Sequence, residues 1–187
     1  MAIHPASPLP DGLKRILWIS RCVRALSLVG MATVALFFAR FWSDADWIRK
    51  SVDSDWCNSC KTLSLDAASR ALAALGTSPA LVLTLVAFWQ LWRLFGHFQR
   101  GNVFTTAAIA HLRRLSQALI AMAAVMPLSS TLAILALTMR NPPGQRVLVF
   151  QIGSQHYLQL LVGLVLLAMA LVMQEARRMA QENAEFV

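Results

Sequence analysis

LSQALIAMAAVMPLSSTLAILALTM, residues 115–139, is a run of 25 residues with no charged side chain. Arg113-Arg114 precede it and Arg140 follows it. As a helix it would be about 38 Å long, enough to cross a hydrocarbon core about 30 Å thick. Pro127 lies inside the run, and Ser129-Ser130-Thr131 follow at once. A proline removes one backbone hydrogen bond, and nearby hydroxyls can take up the carbonyl it frees. The cluster therefore reads first as support for a kink.

Three further runs share this character. Val147 to Gln174 is 28 residues with one histidine, and Ala71 to Trp92 is 22. Ala25 to Ala39 is 15 residues between Arg24 and Arg40, or 18 if extended to Trp42. Arg24 and Arg40 are expected to snorkel, with stems in lipid and guanidinium groups at the headgroups. Four such runs in 187 residues leave little sequence to build a soluble shell over them. Composition agrees: 57% of residues are hydrophobic and 14% charged, with mean hydropathy +0.56. Soluble domains run at about 45–50% apolar and about 25% charged. The expected fold is an all-α integral membrane four-helix bundle. It is one membrane domain, 1–187, with spans at about 22–42, 71–95, 110–139 and 154–175 and a non-cytoplasmic loop at about 43–70. The apolar run near the N-terminus follows Lys14, Arg15, Arg21 and Arg24, and no small-residue cleavage pattern comes after it. It reads as a span, not as a cleaved leader.

The net charge is +8. In a soluble protein that balance would suggest nucleic acid. Here the positions decide. Lys14, Arg15, Arg21, Arg24, Arg93, Arg100, Arg113, Arg114, Arg177 and Arg178 fall on one side of the four spans. The other side holds Arg40, Arg49, Lys50, Lys61, Arg70, Arg140 and Arg146, offset by five aspartates in the first loop. The connection between the second and third spans is the cleanest signal, with four arginines and no acid. Lysine and arginine collect in cytoplasmic segments, so both termini are expected in the cytoplasm and the protein in an inner (plasma) membrane. Trp18, Trp89 and Trp92 would anchor that interface, and Phe41-Trp42 the opposite one. Direct nucleic-acid binding is not expected, because no basic cluster sits on a soluble element.

The first loop carries Trp56-Cys57-Asn58-Ser59-Cys60. Three readings of Cys57 and Cys60 stand open. They form a small disulfide on the oxidising side. They are a redox pair, since Cys-x-x-Cys lowers a thiol pKa. Or they are half of a zinc site, for which His156 is the exterior partner in sequence. Cys22 falls on the cytoplasmic side without a partner. Trp47 and Ile48 lie at the membrane surface or cap the bundle, and the chain from Leu65 onward is helix-prone. Asn141-Pro142-Pro143-Gly144 breaks the third span, and Val147 to Gly153 then follows the outer interface.

The middle connection reads Leu94-Phe95-Gly96-His97-Phe98-Gln99-Arg100-Gly101-Asn102-Val103-Phe104-Thr105-Thr106. Gly101 and Asn102 suit a left-handed helix stop. Thr105 suits an N-cap, with Phe104 stapling onto Ile109. Ile109, Leu112, Leu115 and Leu119 recur at helical spacing as an amphipathic lead-in. Arg93, Arg100, Arg113 and Arg114 then form a candidate docking surface for a cytoplasmic partner or for anionic lipid. With Leu94-Phe95, Phe98, Gly101, Phe104-Thr105 and Leu112-Arg113-Arg114, this segment resembles the DUF2975 family of small bacterial four-helix membrane proteins. Leu161-Val162-Gly163-Leu164, Glu175, Glu182 and Phe186-Val187 extend the resemblance, which covers roughly 80–187. The loop with Cys57 and Cys60 does not enter it. The resemblance implies no activity. Members are encoded beside small helix-turn-helix regulators, which implies a regulatory link.

The second, third and fourth spans carry no charge in their interiors of the kind that marks a proton relay or ion path. Thr84, Gln90, Ser116, Gln117, Ser129, Ser130, Thr131, Thr138, His156 and Gln159 are the polar candidates within them. No paired carboxylates, nucleotide loop or nucleophile constellation is present. The expected function is that of a non-enzymatic accessory or regulatory membrane protein without a cofactor. Its partners would be the lipid bilayer, a cytoplasmic regulatory protein and, as a homo-oligomer, itself. Two alternatives stand. One is an exported-side thiol protein using Cys57 and Cys60. The other is a small-molecule sensor or channel-like oligomer, which predicts a polar cavity among Thr84, Gln90, Ser130 and His156. Gly163, Ala168 and Ala170 are expected at close helix contacts.

Overall fold

The computed structural model describes residues 11–51, 63–101, 105–143 and 145–185, with side chains from Leu17 to Asn183 among them. Five helices account for most of that chain: α1 (Asp11–Ser43), α2 (Ala45–Ser51), α3 (Ala67–Phe98), α4 (Thr106–Thr138) and α5 (Ser154–Glu185). There is no strand among the described residues. Four helices, all but α2, are long and apolar enough to span a membrane. At 32 or 33 residues each is about 50 Å long, so its ends pass beyond a 30 Å hydrocarbon core. Each also runs past the charge-free window that announced it, because Arg, Gln and Glu are good helix formers once outside lipid.

Local chemistry sets the boundaries. Asp66 caps α3 from extended backbone, its Oδ2 accepting from Ser69 N at 3.4 Å. Asp44 breaks α1 from α2, its Oδ1 accepting from Asp46 N and Trp47 N. Gly101 ends the turn after α3 at φ +74°, where a side chain would strain the backbone. Thr105 caps α4, its hydroxyl accepting from Ala108 N at 3.3 Å. Phe104 and Asn102, assigned roles in the same turn, lie outside the described residues.

Helices pack against their chain neighbours: α1 on α3, α3 on α4, α4 on α5, all antiparallel. α4 is the inner member. One-third of its most apolar window is buried, against 6–11% for the other three. The core is layered along α4. Ala73, Ala133, Ile134 and Leu137 join Phe41 and Trp42 at the end that carries α2, labelled the outer end, the α3–α4 turn marking the inner one. Ala87, Leu115, Ala118 and Met122 fill the middle. Leu94, Ala108, Leu112 and Ala170 close the inner end. Small residues let the backbones approach where there is no hydrophobic drive between helices. Gly163 shows how closely: a Cβ there would lie 2.8 Å from Ile120 Cγ1 and 3.1 Å from the Ile120 backbone nitrogen. Outside these seams, Leu26, Val29, Leu36, Val82, Leu132, Val172 and many others are exposed. Apolar surface of that extent is rare on soluble monomers and is what a bilayer covers.

α2 caps the outer end. Ile48 is fully buried against Phe41, Trp42, Ala73 and α4, and Trp47 meets Phe37 edge-on at 5.2 Å. Leu63 to Asp66 is stitched to the end of α4 by Ser64 N to Leu137 O (2.8 Å), Ser64 Oγ to Asn141 Oδ1 (2.9 Å) and an Asp66–Arg140 ion pair. Val147 and Val149 lie along α4, held by the Thr138 and Thr131 hydroxyls at 3.2 and 2.8 Å.

Two side chains depart from their sequence-based roles. Arg24 packs within the protein. It lies half-buried across α3, over Trp92 at 4.8 Å and donating to Gln99 Oε1. A guanidinium stacks well on indole, and that contact outcompetes hydration. The second departure is at Pro127. Ser130 and Thr131 donate to the Pro127 carbonyl itself, at 2.9 and 2.8 Å, and not to the Ala123 carbonyl that the ring leaves without a donor. The expected repair occurs instead at Pro79, where Ser78 Oγ donates to Leu75 O at 2.8 Å.

Candidate functional site

The turn between α3 and α4 brings the inner ends of both helices together. His97 and His111 face each other across it, ring centroids 5.5 Å apart. His111 Nδ1 also meets Gln90 Oε1 at 2.7 Å. Arg93, one turn before His97, stands over Trp89 at 5.9 Å, and Trp89 packs against Trp92 at 5.2 Å. The Arg24–Trp92 contact adds α1 to the same end. One face of α3 (Phe88, Trp92, Gly96, Gln99) therefore receives α1, and the histidine pair joins α3 to α4. Arg24 Nε is buried there without a hydrogen-bond partner.

The four arginines singled out from sequence all point outward. Arg93, Arg100, Arg113 and Arg114 are exposed, and among the described residues none of them forms an ion pair. Arg113 and Arg114 project from α4 because Leu112 and Leu115 take the buried positions on either side. Arg100 is carried by the turn that Gly101 closes.

At the outer end Arg49 and Lys50 of α2 are exposed too, but four arginines there are engaged. Arg40 pairs with Asp44 at 3.3 Å and Arg140 with Asp66. Arg70 donates to Ser43 O at 2.8 Å, and Arg146 Nε to Asn141 O at 3.4 Å. These arginines serve the fold. The Asp66 carboxyl is held below its ordinary value near 3.8, first by the Ser69 hydroxyl beside it; desolvation opposes this, and Arg140 and the Ser69 N–H add smaller lowering contributions. The Ser69 hydroxyl itself has no formed hydrogen bond, so the ion pair and the N–H are the firm contacts.

Cys57 and Cys60 lie outside the described residues, and with them the disulfide, redox and zinc readings. His156 Nδ1 accepts from Gly153 N at 3.1 Å. Among the described residues no three His, Cys, Asp or Glu side chains gather as a metal site would need. Cys22 is a half-buried free thiol.

The cavity expected among Thr84, Gln90, Ser130 and His156 is divided. Thr84 and Ser130 line a cavity of about 480 Å³ between α1, α3 and α4. Ser130 and His156 line a second, of about 550 Å³, between α4 and the start of α5. Gln90 lies apart, with His111. Sequence reasoning missed the aromatic wall of the first cavity (Phe37, Phe38, Phe41 and Trp42) and the histidine pair. The aromatic spacing on α1 was the available signal for the wall.

The family model described as protein of unknown function (DUF2975) matches residues 59–187, more than two-thirds of the chain. The match begins well before residue 80, where the sequence resemblance started, and takes in Cys60 but not Cys57. No curated protein and no solved structure matches the chain.

Proposed function

The chain belongs to the DUF2975 family, whose function is unknown, and from that premise we propose that it is a non-enzymatic accessory membrane protein that docks a cytoplasmic regulatory protein on its arginine-rich end. In this reading both termini and the α3–α4 turn are cytoplasmic, in a bacterial inner membrane. The observation that carries it is the contrast between the two ends. Arg40, Arg70, Arg140 and Arg146 make ion pairs or hydrogen bonds at the outer end, where Arg49 and Lys50 of α2 stay exposed; Arg93, Arg100, Arg113 and Arg114 are exposed and, among the described residues, none has a carboxylate partner. Unpaired guanidinium groups on a rigid helix are ready for bidentate contact with carboxylates, so the partner surface is acidic. The His97–His111 and Gln90–His111 contacts hold α3 and α4 in register, which fixes the spacing of the arginines.

R113Q/R114Q tests this. Both side chains are exposed, so the variant should fold and insert as wild type does. Cross-linking in cells followed by purification should recover an acidic cytoplasmic protein with wild type and about ten-fold less with the variant, a loss worth about 1.4 kcal/mol. Equal recovery would remove the docking reading. Recovery of anionic lipid alone would replace the protein partner with the leaflet surface.

A further inference from the structure

The cavity between α1, α3 and α4 sits in the outer half of the spans. α3 packs against both α1 and α4 and so forms its floor, with Thr77, Ala80, Leu81 and Thr84. Phe37, Phe38, Phe41 and Trp42 of α1 form one wall, and Met126, Ser129 and Ser130 of α4 the other. Its volume of about 480 Å³ falls within the range of small-molecule sites, about 300–1,000 Å³.

The hydroxyls of the lining behave unequally. Thr77 donates to Ala73 O at 2.9 Å, Thr84 to Ala80 O at 2.8 Å and Ser130 to Pro127 O at 2.9 Å. Returning the hydroxyl to a carbonyl of the same helix is the usual fate of Ser and Thr in mid-helix, and it leaves an apolar wall. Ser129 does not do this. It is only 4% exposed, lines the cavity, and makes no hydrogen bond among the described residues. An unused donor at membrane depth is costly, because no water is there to take it up. Ser129 lies nine residues from the outer end of α4, about 14 Å down the helix axis. That is deeper than the level at which headgroups sit.

We infer that this cavity binds a bilayer-dissolved quinone, a flat carbonyl-bearing ring on an apolar chain, with Ser129 Oγ donating to a ring carbonyl. The aromatic wall suits the ring. Phe37 is exposed and Phe38 half-buried, so their rings keep open surface along the cavity, backed by the buried Phe41 and Trp42. A plain acyl chain would fill the volume but leave the Ser129 donor unused, and the ester oxygens of a phospholipid stay at the headgroup level. The inference concerns binding alone and needs no redox step. It is independent of docking at the arginine-rich end, since no residue is shared.

The test uses the full chain in phosphatidylcholine nanodiscs and a short-chain photoreactive azidoquinone. Labelling should saturate, map to the α1 and α4 walls, and be displaced by decylubiquinone. S129A should weaken it about five-fold, the loss of one hydrogen bond. S116A, which removes a hydroxyl that donates to Arg113 O on the same helix and does not line the cavity, should leave it unchanged. The inference is overturned if S129A labels like wild type, if label spreads evenly over the lipid-facing side of α5, or if a ring-free alkyl chain of equal length displaces it as well as decylubiquinone does. The last result would make the cavity an acyl-chain groove.

Discussion

Asp66 closes the outer end of α3 in two ways, as the cap that accepts from Ser69 N and as the ion-pair partner of Arg140 on α4. Its carboxyl titrates below its ordinary value near 3.8 in the folded protein. A group with a lowered folded pKa stabilises the fold at pH values above its unfolded pKa and loses that contribution as pH falls through the folded value. Thermal unfolding in detergent should therefore show the wild-type midpoint dropping as pH is lowered past about 3.8. In D66N this component should be missing, because Asn still caps but carries no charge. Parallel pH profiles for the two proteins would place the acid sensitivity elsewhere. At this scale, legibility depended on sequence distance. Thr105 as a cap and Gly101 as a left-handed turn were readable because each acts on residues three or fewer positions away. Arg24 was not, since its partners Trp92 and Gln99 are brought to it only by the antiparallel packing of α1 on α3.

At the level of the element, the long helices followed from runs free of charge, because a bilayer imposes a length and a composition together. α2 had no such signal. A helix of seven residues is too short to be stable by propensity, and it exists because Ile48 is buried under the aromatic residues of α1. Contacts between helices are likewise set by small residues whose partners lie far off in sequence. The α4–α5 seam is the sharpest case. G163V would push a branched side chain into the Ile120 backbone, which cannot swing aside as the end of a flexible side chain can. The expected cost is about 1–3 kcal/mol, read as a lower unfolding midpoint in detergent with loss of α5 protection in hydrogen exchange while α3 keeps its own. A midpoint equal to wild type would mean that the two helices have room to part without penalty.

Across the whole molecule, the helices form a row in which α4 is the most buried member and α1 and α5 each rest on one long neighbour. The row has two unlike ends. One is knitted by short-range polar contacts, Asp66–Arg140, Arg70 to Ser43 and Ser64 to Asn141. The other offers Arg100, Arg113 and Arg114, exposed and, among the described residues, in no ion pair. The sequence carried this asymmetry as an Arg-only connection against an acidic loop. What it hid was which arginines are engaged, because that depends on caps and carbonyls contributed by other helices. The central claim, that the arginine-rich end faces the cytoplasm and is free to dock a partner there, stands or falls on orientation. Its most direct test is labelling with a membrane-impermeant maleimide in right-side-out vesicles, using single cysteines at Arg100 (R100C) and Pro143 (P143C) in a background with Cys22, Cys57 and Cys60 changed to serine. The account predicts that P143C labels at once and that R100C labels only after the vesicles are opened. Immediate labelling of R100C, with P143C protected, would contradict it.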